Sequence, residues 1–208
     1  MTDLDGELRR VFGLPPVAPR AVMRVQVAAG QGLEAGRAEA DRFVDAGADL
    51  VVLDCDLVSL PALAAIAAVL DLDPVGVVGT STSAGWREQV VGVRDLLRTA
   101  RRQVHDPAAL AADPTLGRLV GLLDGLSSRR TPVLLGGGTA TVTAALLARR
   151  LQPGADRWWL AGARPVDQAG RLALTAVGLP PLLDLELPTG SADVAVAVVR
   201  TRLEQLGA

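Results

Sequence analysis

Apolar residues along this chain alternate between short continuous runs and longer stretches in which they recur at helical spacing. The runs Ala21-Val-Met-Arg-Val-Gln-Val27, Leu50-Val-Val-Leu53, Val75-Gly-Val-Val78, Thr131-Pro-Val-Leu-Leu135, Arg157-Trp-Trp-Leu160 and Leu182 to Leu185 read as strands. Between them, residues 33–44, 60–70, 86–102, 108–112, 116–126, the segment ending near Leu151, residues 168–177 and residues 193–206 carry the helical period. The punctuation agrees: Ala46-Gly47 closes the first helix, and Ser59-Leu60-Pro61 opens the second with a hydroxyl cap and a first-turn proline. Strands separated by helices imply a parallel sheet covered on both faces. The expected fold is therefore a three-layer, mostly parallel, Rossmann-like α/β domain over residues 1–208, with residues 1–20 as an N-terminal extension.

Ligands in such sheets bind beyond the carboxyl ends of the strands. That rule collects Asp54 and Asp56, the hydroxyl run Thr80-Ser-Thr-Ser83, the glycines Gly136, Gly137 and Gly138, and the segment after Leu160 along one edge. The glycine turn leads from strand to helix at Thr139, so backbone N–H groups and the helix dipole would face an anion there. Gly136, Gly137, Gly138 and Thr139, with Thr80 and Ser81, are the candidate phosphate or ribose contacts. Each feature also has a plainer reading. The glycines suit a ligand-free tight turn, and Asp54 and Asp56 suit a solvated loop or a helix cap. Thr80 to Ser83 is a helix-start signature in its own right. Glu186 could act as a base beside a cleft or be a polar residue at a strand end, and Trp158 and Trp159 suit a core or a subunit interface.

Composition narrows the chemistry. Half of the 208 residues are apolar, 21% are charged, and the net charge is −2. Arginines are dispersed among carboxylates and only three tryptophans and two phenylalanines are present, which argues against a nucleic-acid surface. The chain has no lysine, so neither a Walker lysine nor a Schiff base can form. Cys55 is the only cysteine and His105 the only histidine, which leaves no disulfide and no cysteine or histidine metal cage. No cofactor or metal is expected. The N-terminus lacks a basic region followed by an apolar core, and the apolar runs stop short of the ~20 residues a membrane helix needs. A soluble cytoplasmic protein is the expectation.

The second half of the chain resembles the nicotinate-nucleotide:dimethylbenzimidazole phosphoribosyltransferases. The resemblance rests on Asp106-Pro-Ala-Ala-Leu, Gly121-Leu-Leu, Pro132-Val-Leu-Leu-Gly-Gly-Gly-Thr-Ala-Thr and Gly170-Arg-Leu-Ala-Leu-Thr-Ala-Val-Gly-Leu-Pro-Pro-Leu-Leu-Asp-Leu185, in that order. Upstream, Ala46-Gly-Ala-Asp-Leu-Val-Val-Leu53 is similar to the family's Gly-Ala-Asp-Leu-Leu strand. The resemblance implies a usually dimeric α/β enzyme that moves phosphoribose from nicotinate mononucleotide to a benzimidazole nitrogen, giving the α-ribazole phosphate of the cobalamin lower loop. Such a step needs a phosphate cradle, a carboxylate that takes the azole proton, and a site that aligns the acceptor.

The chain departs from the family where that chemistry sits. The family's strand leads into a glycine and threonine cradle with a glutamate, whereas here it leads into Asp54-Cys-Asp-Leu-Val-Ser-Leu-Pro61, so that Cys55 and Asp56 stand at the acceptor site. The family's C-terminal Leu-Gly-Glu-Gly-Thr-Gly carries the base, and Ser191 of Thr189-Gly-Ser-Ala-Asp-Val194 takes its place. The His-Arg-Ser segment loses its histidines to Ala163 and Gly170 and its serine to Pro165. Two expectations result. One is a non-catalytic or weakly active homologue that binds a nucleotide or benzimidazole-type ligand, as a homodimer or paired with a full-length subunit. The other is an active transferase with a relocated base, for which Glu186 and Asp54 are the candidates.

Overall fold

The computed structural model describes residues 3–13, 17–25, 32–55, 59–79, 85–186 and 192–207. Five strands, β1 (Val22–Arg24), β2 (Leu50–Leu53), β3 (Val133–Leu135), β4 (Trp159–Arg164) and β5 (Pro181–Glu186), form one all-parallel sheet in which every strand pairs with the next along the chain. Met23, Val51, Val133 and Trp159 lie side by side across it, and Leu53, Leu135, Ala161 and Pro181 form a second row. The helices are α1 (Leu4–Phe12), α2 (Leu33–Asp45), α3 (Leu60–Val69), α4 (Pro74–Val78), α5 (Trp86–Arg102), α6 (Pro107–Leu110), α7 (Pro114–Ser128), α8 (Thr139–Leu151), α9 (Gln168–Val177) and α10 (Ala192–Gly207). Among the described residues, no helix is long and apolar enough to cross a membrane.

Strand order equal to chain order has a direct consequence. Right-handed crossovers that always step to the same side put every connecting helix on one face of the sheet. The cores divide accordingly. Val51, Leu53, Val133, Leu135, Trp159 and Ala161 face the helices that connect the strands, in one large cluster. Leu50, Val52, Leu134 and Leu160, the alternate residues of the same strands, face only the terminal helices α1 and α10. Both sides of β2 and β3 are therefore dry, and each side chain buried there contributes about 1.5–3 kcal/mol.

Two elements differ from the sequence reading. Residues 75–78 are helical rather than a strand, because Asp73 accepts from Gly76 N and Pro74 occupies the first turn of α4. β3 consequently lies directly beside β2, and the whole of α3 to α7 forms one crossover. The strand placed over residues 157–160 begins later. Ala155–Trp158 is a 3-10 turn and β4 starts at Trp159, running through the small residues Ala161-Gly-Ala163. A Cβ at Gly162 would press on Ala195 of α10 and on the Leu135 carbonyl, so the strand passes where α10 sits close. The N-terminal extension holds α1, capped by Asp3 through Gly6 N and buried through Leu8 and Val11.

The tightest helix pairing joins α2 to α7. A Cβ on Gly36 would overlap the Arg118 carbonyl and the Leu122 amide, and one on Gly121 would overlap the Leu33 carbonyl. Backbone meets backbone here because glycine supplies no Cβ. Ion pairs close both sides of the seam: Arg118 grips Glu39 through two bonds of 2.7 Å, and Arg37 Nε donates to Asp124 at 2.7 Å. Gly121→Val should therefore separate the two helices and destabilise the domain by about 2 kcal/mol or more, read as a lower urea midpoint.

The opposite face is held at its rim by Arg202 of α10, whose Nε and Nη2 donate to the two Asp5 carboxylate oxygens at 2.7 and 2.8 Å. Those hydrogen bonds hold the Asp5 carboxyl below its ordinary value. A carboxyl depressed in the folded state stabilises fully above its unfolded value, about 4, and loses that contribution as pH falls through the lower folded value. Hydrogen exchange in α1 should accelerate as pH is lowered below about 4, once corrected for intrinsic rates. Arg202→Ala should remove that pH dependence.

Candidate functional site

Because all five strands run the same way, their carboxyl ends share one edge. β2 leaves into Asp54 and Cys55, β3 into Gly136, Gly137 and Gly138, β4 into Pro165, Val166 and Asp167, and β5 ends at Glu186. Gly136 N donates to the Leu53 carbonyl at 2.8 Å, which carries the β2–β3 ladder one residue into the turn. The Asp54 side chain then lies directly against the Gly136 Cα, in the space a Cβ would take. Glycine is required at 136 for that close approach.

The turn passes into α8 at Gly138, which is extended and caps the helix without any side-chain hydrogen bond. Three threonines on α8, Thr139, Thr141 and Thr143, are fully buried, and each hydroxyl has a protein partner. Thr141 Oγ1 accepts from Cys55 N at 2.8 Å, tying the exit of β2 to α8. Thr143 donates to the Thr139 carbonyl at 2.6 Å. Thr139 Oγ1 donates to Asp167 Oδ2, so its hydroxyl turns toward the β4–α9 loop. Cys55 is buried in the larger core. On the near side, Gly137 lies 3.5 Å from the Arg164 carbonyl and 3.7 Å from Pro165 Cα, measured from where a Cβ would stand, leaving ordinary room.

Beyond that loop the site becomes charged and open. Arg171 donates to the Pro165 carbonyl at 3.4 Å and to the Val166 carbonyl, and pairs with Glu186 at 3.3 Å. Arg164 pairs with Asp184. A recess of about 250 Å³ lies among Arg164, Pro165, Arg171 and Leu179. Glu186 thus stands at the solvent end of an edge strand, joined to the glycine turn through Arg171 and the β4–α9 loop. Among the described residues, no three His, Cys, Asp or Glu side chains are grouped to hold a metal. His105 is exposed in the turn after α5.

The edge therefore brings together Asp54, Cys55, Gly136, Gly137, Gly138 and Thr139. Asp56, Thr80, Ser81 and Ser191 lie outside the described residues. The chain preceding Thr80 and Ser81 emerges from α4 and not from a strand. Sequence reasoning did not single out Thr141 or Asp167. Asp167 carried a legible signal, an acidic residue just ahead of an apolar helix, and it does cap α9 through Gly170 N at 2.7 Å. Its contact with Thr139 spans 28 residues and has no local signature.

Comparison with known proteins places these features in a family context. A family model described as phosphoribosyltransferase matches residues 17–201. The nicotinate-nucleotide–dimethylbenzimidazole phosphoribosyltransferase of Mycobacterium avium (strain 104) is 42% identical over 187 residues, covering 85% of this chain and 53% of that protein. The protein of the same name from Mycobacterium tuberculosis is 41% identical over 185 residues, covering 84% and 51%. The crystal structure of CobT from Thermus thermophilus superposes with a TM-score of 0.68 at 30% identity, over 84% of this chain and 55% of that one. The chain spans about half the length of the curated relatives it matches.

Gly136→Ala should force the Asp54 carboxylate off the turn. The expected cost is about 1–3 kcal/mol, measured by thermal unfolding, and Gly137→Ala should cost far less.

Proposed function

This chain belongs to the phosphoribosyltransferase family of the nicotinate-nucleotide–dimethylbenzimidazole enzymes, and we propose that it binds a nucleotide or a benzimidazole-type ligand without the base of a working transferase. The observation that carries the reading is the 136–139 turn at the start of α8. Gly137 keeps its backbone partly exposed between the buried Gly136 and Gly138, the helix begins without a side-chain cap, and Thr139, Thr141 and Asp54 hold the turn in place. Such a turn supplies N–H donors and a positive dipole end to a phosphate.

The missing base supports the non-catalytic half of the reading. The family's carboxylate position is occupied by Ser191, and a serine hydroxyl does not take an azole proton at neutral pH without a partner to deprotonate it. Glu186 is engaged with Arg171 at the strand end. The protein would then act in cobalamin lower-ligand metabolism as a binding homologue, as a homodimer or beside a full-length subunit. A second reading, an active transferase making α-ribazole phosphate with a relocated carboxylate, is favoured by one observation: Asp54 lies directly against the glycine turn.

Purified protein incubated with nicotinate mononucleotide and dimethylbenzimidazole should yield no α-ribazole phosphate by chromatography. Nicotinate mononucleotide should stabilise the fold, by about 2.7 kcal/mol at a hundredfold excess over Kd, and Gly137→Val should abolish that gain. A Cβ at 137 meets only ordinary contacts, so the unliganded unfolding temperature of the variant, measured in the same experiment, separates loss of ligand from loss of fold. Turnover abolished by Asp54→Asn or Glu186→Gln would instead establish the second reading.

A further inference from the structure

We propose that Asp167 is a positioning residue, a clamp that fixes the glycine turn against the N-terminus of α9. The proposal rests on the reading of that turn as the ligand cradle. The two carboxylate oxygens of Asp167 have different tasks. Oδ1 accepts from Gly170 N at 2.7 Å and caps α9, while Oδ2 accepts from Thr139 Oγ1 at the first residue of α8. One half-buried carboxylate therefore joins the first turns of two helices whose strands, β3 and β4, are neighbours in the sheet.

The surroundings make the clamp directional. Thr139 is fully buried, so its hydroxyl has no access to solvent, and a bond to a carboxylate is about twice as strong as one between neutral groups. Asp167 is itself held from behind. Gln168, the next residue, donates from Nε2 to the Gly76 carbonyl of α4 at 2.7 Å, and its side chain occupies the space where a Cβ of Gly79 would stand. Gly170 lets the loop fold tightly, because a Cβ there would press on Pro165. The N-terminus of α9 is thus anchored to α4 on one side and to the glycine turn on the other. A displacement of Thr139, the last residue of the turn, relative to α9 stretches the Asp167–Thr139 bond. Catalytic or binding chemistry by Asp167 itself is not required; it acts through the turn.

Two variants separate the clamp from the cap, and a third restores it. Asp167→Ser keeps an N-cap for α9 but is too short to reach Thr139 as well. Thr139→Val removes the hydroxyl, keeps the shape, and leaves the Asp167–Gly170 bond untouched, whereas Thr139→Ser restores the donor. Hydrogen exchange by mass spectrometry should show peptides over residues 136–140 exchanging about tenfold faster in Asp167→Ser and Thr139→Val. Thr139→Ser should restore the slow exchange, and peptides over α9 should be unchanged in all three. The Kd for nicotinate mononucleotide should weaken by about tenfold in the two disrupting variants. The double variant should be no weaker than either single one.

Unchanged exchange at 136–140, or equal acceleration along α9, would overturn the clamp. Additive losses in the double variant would overturn it too, by showing that Thr139 meets the ligand directly. If the wild-type protein binds no nucleotide while the exchange pattern appears as expected, the clamp stands and the ligand-binding reading fails.

Discussion

A parallel sheet whose spatial order repeats its chain order is the constraint on which the rest of this protein depends. Each crossover must step the same way and must bring the chain back to the same end of the next strand, so every connecting helix falls on one face. The other face is left to whatever the termini provide, here α1 and α10, held over Leu50, Val52, Leu134 and Leu160. The same order delivers every strand exit to one edge. Asp54, the three glycines and the β4–α9 loop become neighbours through topology, although they lie far apart along the chain.

Within that frame, glycine is used for two kinds of close approach. Along α2 and α7 it lets two backbones touch, so that Gly36 and Gly121 set the distance between the helices and the flanking arginine pairs set their register. At the strand edge it lets a carboxylate touch a backbone, with Asp54 against Gly136. The first use is purely structural. The second places a carboxylate directly against the backbone at the mouth of the turn.

Family membership and local chemistry point to different levels of function. The relatives named as phosphoribosyltransferases match this chain over most of its own length but over about half of theirs. At the described edge, polar groups are engaged with one another: Thr139 with Asp167, Thr141 with Cys55, and Arg171 with Glu186.

Local pattern was enough to determine the α/β class, the positions of β2, β3 and β5, the Ser59 cap, and the strand–glycine–helix turn, because each depends on residues within a few positions of one another. It misjudged residues 75–78, and it placed the start of β4 at 157 where Trp159 begins it and ended it at 160 where it runs on to Arg164. In the first, a capping Asp73 and first-turn Pro74 outweighed β-branched propensity; in the second, burial between two layers extended a strand through Ala161-Gly-Ala163 that has little propensity of its own. Only the tertiary structure decided which helices cover which face, that Asp54 needs glycine at 136, and that Thr139 bonds Asp167. Those are contacts between segments far apart in the chain, fixed by how strands are ordered in space, and no periodicity along a sequence encodes that order.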